Sequence, residues 1–253
     1  MSRNRHSTNF LGIFSSFWRY RDLIWVMTKR EVIGRYRGSF LGLCWSFFNP
    51  LLLLAVYTFV FSVVFEVRWG VTVTGRGQFA VILFSGLIVH GLLSESLTRA
   101  PGLILGNVNF VKKVVFPLEI LAWVSMGTTL FHWAMSLLVL LLFILFSGTL
   151  SWTLVLIPAV MLPLVFLAMG LSWILASLGV YLRDVGQAMG LITTILLFLS
   201  PIFYPLSAIP ETFRLLVYLN PLTFVVEQAR AVLVWGKLPD WTGLAIYLTV
   251  SLL

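Results

Sequence analysis

Residues 40–65 read FLGLCWSFFNPLLLLAVYTFVFSVVF, a run without one charged side chain. As a helix, 26 residues rise about 39 Å, enough to cross about 30 Å of hydrocarbon with some tilt. The apolar residues are continuous, not alternating, so the run reads as a helix and not as a barrel strand. Asn49-Pro50 lies inside it and is expected to kink or loosen the helix. The rest of the chain has the same character. Of 253 residues, 60% are hydrophobic and 10% charged, against about 45–50% and about 25% in ordinary soluble domains. That balance excludes a soluble globular enzyme and a disordered chain, and makes the bilayer the natural solvent.

Working outward from this run, further apolar stretches follow at about 79–97, 117–146, 153–181, 188–204 and 241–253. Residues 206–239 break the series. Ser207 and Pro210 precede a short helical stretch, and Asn220 is placed to cap a helix that begins at Pro221 and ends at Gly236. That helix, with Glu227, Gln228 and Arg230, is too short and too polar to span. The expected fold class is therefore an all-α membrane protein. It has six transmembrane helices, an N-terminal amphipathic interface helix, and a re-entrant helical hairpin over 206–239 between spans five and six. Two parts are expected: a cytoplasmic N-terminus with the interface helix over 1–39, and a single transmembrane domain over 40–253. The last stretch, at 13 residues, rises only about 20 Å, so a natural C-terminal tail of about ten more apolar residues is expected beyond it.

Residues 22–37 are moderately amphipathic. Trp25, Val26, Val32, Ile33 and Tyr36 fall on one broad face, which Lys29 interrupts; Thr28, Glu31 and Arg35 fall opposite. Gly38 and Ser39 end the stretch, which reads as a helix lying in the membrane interface. The net charge is +8, and residues 1–37 hold eight basic side chains against two acids. In a chain this apolar, the charge is read as an orientation signal and an anionic-lipid contact, not as a nucleic-acid surface. With the N-terminus inside, the inner segments carry twelve of the basic residues and the outer ones five, which supports that orientation. The single cysteine, Cys44, cannot form an internal disulfide, and no Cys/His metal spacing occurs.

The sequence is poor in catalytic patterns. No GxSxG, HExxH or paired-carboxylate motif is present, and Gly236-Lys237 lacks the upstream Gly and following Ser/Thr of a phosphate loop. If the chain is powered by ATP, the engine is another polypeptide. His90 and His132 are the titratable candidates within spans; His132, mid-span beside Trp133, reads as a neutral histidine hydrogen-bonded between helices. The longest inner loop, 95–116, holds Glu95, Arg99, Asn107 and the Lys112-Lys113 pair. It reads equally as a docking surface or a solvated connector. Aromatic residues in spans one and five suit stacking on sugar rings, or simple packing. No internal repeat is evident, which argues against inverted-repeat secondary transporters.

Several stretches, in order, carry a resemblance: RYRGSFLGLCWSFFNP at 35–50, FSGLI at 84–88, NVNFVKKVVFP at 107–117, YLRDV at 181–185, PIFYP at 201–205, Ile209-Pro210, and LNPLT at 219–223 with Glu227. Together they resemble the membrane (permease) subunit of ABC-type polysaccharide exporters, the family that exports O-antigen, capsule and teichoic acid. The resemblance covers roughly residues 20–240. It implies a homodimer of permease chains in the bacterial inner membrane, with two ATP-binding-cassette subunits beneath that hold the ATP and Mg; this chain itself would bind no cofactor. The substrate implied is a lipid-linked polysaccharide, typically on undecaprenyl diphosphate. ATPase coupling is implied for Arg30, Glu95, Arg99, Asn107, Lys112 and Lys113. Arg35 and Arg37 are placed to meet the lipid diphosphate, although attraction to the lipid surface explains the same residues. Trp45, Phe48, Tyr57, Phe198 and Phe203 are expected to line the conduit. The competing readings are an ABC permease for small lipophilic drugs or lipids, and a membrane glycan-modifying enzyme. The latter would need an acid or histidine facing a cavity.

Overall fold

The computed structural model describes residues 16–60, 76–108, 117–147 and 150–253, and all regular structure among them is helical. In chain order the elements are α1 (Arg21–Tyr36), α2 (Trp45–Phe59), α3 (Arg76–Arg99), α4 (Glu119–Phe146), α5 (Ile157–Tyr181), α6 (Val185–Leu199), α7 (Glu211–Tyr218), α8 (Pro221–Leu233) and α9 (Trp241–Leu252). Among the described residues, four stretches are long and apolar enough to cross a membrane: Gly42–Phe59, Gly77–Gly102, Glu119–Phe146 and Trp152–Tyr181. Helices α6 and α9 are apolar but shorter.

Helix α3 is the hub. It packs against α2, α4, α5, α6 and α8, and 72% of its most apolar window is buried, against 17% for the Gly42–Phe59 stretch. Its run Phe79–Phe84 with Ile88, Val89, Leu92 and Leu93 is almost wholly enclosed. In lipid, apolar burial supplies no drive between helices, so close packing and interhelical polar contacts hold this centre together. Hydroxyls that would otherwise meet hydrocarbon bond back to their own helix: Ser96 Oγ donates to the Leu92 carbonyl at 2.9 Å and Ser172 Oγ to Ala168 at 2.7 Å. One backbone crossing is tight. A Cβ on Gly179 in α5 would lie 2.2 Å from the Pro101 carbonyl oxygen, in the turn that follows α3. Only glycine permits α5 and that turn to touch there.

The structure alters two expectations, on α3 and on α1; Pro50 lies inside α2, which is helical from Trp45 to Phe59. The expected loop from residue 95 is instead the last turns of α3, which run to Arg99 before a 3-10 turn at Ala100–Gly102, so Glu95 and Arg99 stand on a helix. On α1 the buried stripe is Ile24, Thr28 and Val32, while Trp25, Val26 and Ile33 of the expected apolar face are exposed. Ile24 packs with Ile120 and Val124 of α4, and Thr28 Oγ1 reaches the Val124 carbonyl at 3.5 Å. Gly127 of α4 presents no side chain to Thr28, which lets the two helices approach there. The two short helices read within 206–239 form as α7 and α8. Asn220 Oδ1 accepts the Leu222 N–H at 2.9 Å and caps α8. At the other end Gly236 takes φ +61°, and the Lys237 N–H returns to the Ala231 carbonyl at 2.8 Å. Lys112 and Lys113, and residues 61–65 of the first expected span, lie outside the described residues.

Candidate functional site

The same four-residue spacing, Glu-x-x-x-Arg, occurs at Glu31/Arg35 on α1 and at Glu95/Arg99 on α3. On a helix, positions i and i+4 share a face, so each helix offers one acid and one base side by side. The two pairs meet head to tail. Arg35 Nη1 donates to Glu95 Oε1 at 2.6 Å, and Arg99 Nη2 pairs with Glu31 Oε1. Arg99 Nη1 also lies 3.3 Å from Glu95 Oε1, within its own helix. His132 of α4 completes the cluster: its Nδ1 sits 2.8 Å and 3.1 Å from the two Glu95 oxygens. An ionised carboxylate only accepts, so Nδ1 carries the proton in that bond. The contact of 3.2 Å between Arg35 Nη1 and the same Nδ1 is then a close approach of two donors around one acceptor.

Glu95 thus joins three helices. Its side chain is 19% exposed and that of His132 14%, whereas Arg35 is 52% exposed. The two acids and two arginines balance, which is what allows a charged cluster to sit this deep. Tyr36 closes one side, its ring edge-on to His132 at 6.1 Å, and burial pushes its hydroxyl above the usual tyrosine range.

Beside the cluster lies a cavity of about 310 Å³ between α2, α3 and α4, lined by Tyr57, His90, Glu95, Thr129, His132 and Trp133 among others. A wider cleft of about 750 Å³ shares His90, Gly91 and Glu95 with it and reaches Glu31, Arg35 and Arg99. A third hollow of about 400 Å³, on the α1 side, brings Arg30 and Asn107 together with Glu31 and Arg99. So of the residues read for ATPase coupling, the structure gathers Arg30, Glu95, Arg99 and Asn107 around one end of α3. Arg35, read for lipid diphosphate, is in that same cluster, while Arg37 is exposed and no ion pair of it is found among the described residues. Of the aromatic set, Tyr57, Phe203 and Phe198 form a row, with ring centroids 6.2 Å and 5.7 Å apart. No ring contact among the described residues joins Trp45 or Phe48 to it; Phe48 meets only Phe47, at 6.1 Å.

Sequence reasoning missed two features. The repeated Glu-x-x-x-Arg spacing was visible and would have pointed to the α1–α3 pairing. The role of Arg230 had no such signal. This arginine of α8 is wholly buried. Its Nη1 donates to Glu227 Oε1 at 2.8 Å, Nη2 to the Ile202 carbonyl at 3.0 Å, and Nε to the Ile82 carbonyl at 3.3 Å. Burial pulls its pKa down to about 10, opposed by Glu227, so it remains cationic at neutral pH. One side chain therefore ties α8 to α3 and to the turn after α6.

Comparison with known proteins agrees with this architecture. Residues 22–234 match the family described as ABC-2 type transporter. The chain is 32% identical over 244 residues to the O-antigen export system permease protein RfbA of Myxococcus xanthus, covering 95% of this chain and 91% of that protein. It is 28% identical over 220 residues to RfbA of Klebsiella pneumoniae, covering 86% and 82%. It is 24% identical over 227 residues to the polysialic acid transport protein KpsM of Escherichia coli, covering 85% and 82%.

Proposed function

The chain belongs to the ABC-2 type transporter family, and from that premise we propose that it is the membrane subunit of an ATP-driven exporter that carries a lipid-linked polysaccharide of O-antigen type out of the cytoplasm. The observation that carries this reading is the likeness to an O-antigen export permease over 95% of the chain. Two copies form the translocation path in the bacterial inner membrane, the N-terminus lies in the cytoplasm, and two separate ATP-binding-cassette chains below bind ATP and Mg. The reading takes the four membrane-length stretches and the shorter apolar helices α6 and α9 as its six crossings, and α7 with α8 as a re-entrant hairpin toward the outer mouth.

In this reading α1, the turn after α3 and the Lys112-Lys113 segment receive the motion of the ATPase. The Arg35–Glu95 and Arg99–Glu31 pairs bind α1 to α3, and the Glu95–His132 bond carries displacement on to α4. Pairs that are partly exposed can part and re-form at little cost, as a working joint requires. Arg37, exposed and without an ion pair among the described residues, is left to meet the lipid diphosphate. The row Tyr57–Phe203–Phe198 offers ring faces to the sugar chain, with Trp45 and Phe48 further along α2.

Affinity purification of the tagged chain from its own cells is the test. A separate ATPase subunit is expected to co-purify, and its loss is expected with Lys112→Glu/Lys113→Glu. Export of polymer by cells lacking every such ATPase would overturn the proposal.

A further inference from the structure

The conduit reading rests on aromatic faces, but the cavity of about 310 Å³ between α2, α3 and α4 carries something more specific. Among the described residues, Thr129 Oγ1, His132 Nε2 and Trp133 Nε1 are buried polar atoms that find no hydrogen-bond partner. All three residues line this one cavity. They are consecutive on one side of α4, since 129, 132 and 133 are spaced i, i+3 and i+4. Buried polar groups are almost always paired, so three orphans on one cavity wall mark a place that receives a polar guest.

The chemistry of the three atoms narrows the guest. Trp Nε1 only donates, and Thr Oγ1 both donates and accepts. His132 holds Glu95 through Nδ1, at 2.8 Å, and keeps Nε2 for the cavity. A phosphate offers acceptors only and would face the Glu95 carboxylate that lines the same cavity. An ammonium offers donors only and would leave Trp133 unpaired. A hydroxyl does both. The same lining holds Leu53, Tyr57 and Leu87, with His90 and Ser136 as further polar groups. Ring faces set against a patch of mixed donors and acceptors fit a pyranose, whose C–H face is apolar and whose rim is hydroxylated.

We propose that Thr129, His132 and Trp133, with Glu95 fixing the His132 ring, form a subsite for the hydroxyls of one sugar unit of the exported polymer. It rests on the exporter reading and adds to it a polar contact point inside each chain, next to the aromatic row, whose Tyr57 lines the same cavity. A transported polymer must be held loosely enough to move on, and three hydrogen bonds from one residue set meet that need. Glu95 acts here as a positioning residue, and the cluster that joins α1 to α3 therefore also sets the orientation of the His132 ring in the subsite.

The experiment replaces Trp133 with photoreactive p-benzoylphenylalanine in the complete exporter in cells that are making polymer. The tagged chain is recovered after illumination and probed for attached glycan. Parallel samples carry the probe at Phe198, in the aromatic row, and at Ile174, exposed on α5. Glycan attached at 133 and 198 but not at 174 is the expected result. Attachment at 198 without 133 overturns the subsite and spares the conduit; attachment at neither, with polymer still reaching the surface, overturns both. As a second readout, Thr129→Val and Trp133→Phe keep shape and remove one donor each. Each is expected to slow export about threefold to tenfold at an unchanged amount of assembled complex. Unchanged export in the double variant Thr129→Val/Trp133→Phe contradicts the subsite.

Discussion

Arg230 and Arg35 are the same side chain put to opposite uses. Arg230 is wholly enclosed, and its three donor nitrogens are spent on Glu227 and on the carbonyls of Ile82 and Ile202. Two of those partners are backbone atoms on other elements, so the bond set cannot shift without moving α3 or the turn after α6. Arg35 is half exposed and shares Glu95 with Arg99 and His132. Its partner has other partners, so the pair can exchange. The α8 side of the molecule is thus pinned and the α1 side jointed. A transporter driven from one face needs this difference: a part that yields where force enters, and a fixed part for it to work against.

The largest break in the comparison should come at the pinned end. Arg230→Leu leaves Glu227 and two buried carbonyls without their donor, at a cost of about 3–5 kcal/mol. Thermal unfolding of the purified chain should show this as a collapse of the folded fraction. Arg230→Lys should recover little, because one ammonium cannot reproduce the three-way fork. Next is Gly179→Ala, where a methyl meets the Pro101 backbone. Overpacking of this kind costs about 1–3 kcal/mol, and the melting temperature should fall without change in ATPase binding. At the jointed end the balance reverses. Glu95→Gln should cost only about 1–2 kcal/mol of stability, yet ATP hydrolysed per polymer exported should rise severalfold. Swapping charges in Glu31→Arg/Arg99→Glu should restore part of the coupling lost in either single variant, and a double-mutant cycle reads this directly. The smallest effect belongs to Arg37→Ala: stability should stay within about 0.5 kcal/mol, while export falls if the residue meets the lipid diphosphate.

The reach of sequence reasoning follows the same division. The bounds of α8 were legible because their punctuation is local: Asn220 before Pro221, and Gly236 after the last turn, act on that helix alone. The membrane-length stretches were legible because length and apolarity alone define them. What escaped was which side of each helix packs. On α1 the large apolar residues Trp25 and Ile33 pointed to one face, whereas the stripe of Ile24, Thr28 and Val32 packs, because Thr28 meets Gly127 and the Val124 carbonyl of α4. Glu95 was assigned to a loop because its charge ended the apolar run, whereas pairing with His132, 37 positions away, lets the helix continue past it. Arg230 was legible only as a residue too polar for a span; the carbonyls that hold it, 28 and 148 positions away, leave no mark in the local pattern.

The central claim is that this chain moves lipid-linked polysaccharide only under the power of a separate ATPase. Vesicles containing the purified chain with its co-purified ATPase, loaded with radiolabelled lipid-linked polymer from the same cells, test it most directly. The account predicts ATP-dependent transfer of polymer across the membrane with both components present, none with either alone, and severalfold less transfer per ATP hydrolysed with Glu95→Gln at equal protein content. Transfer by the chain without the ATPase, or equal transfer per ATP hydrolysed with Glu95→Gln, would contradict it.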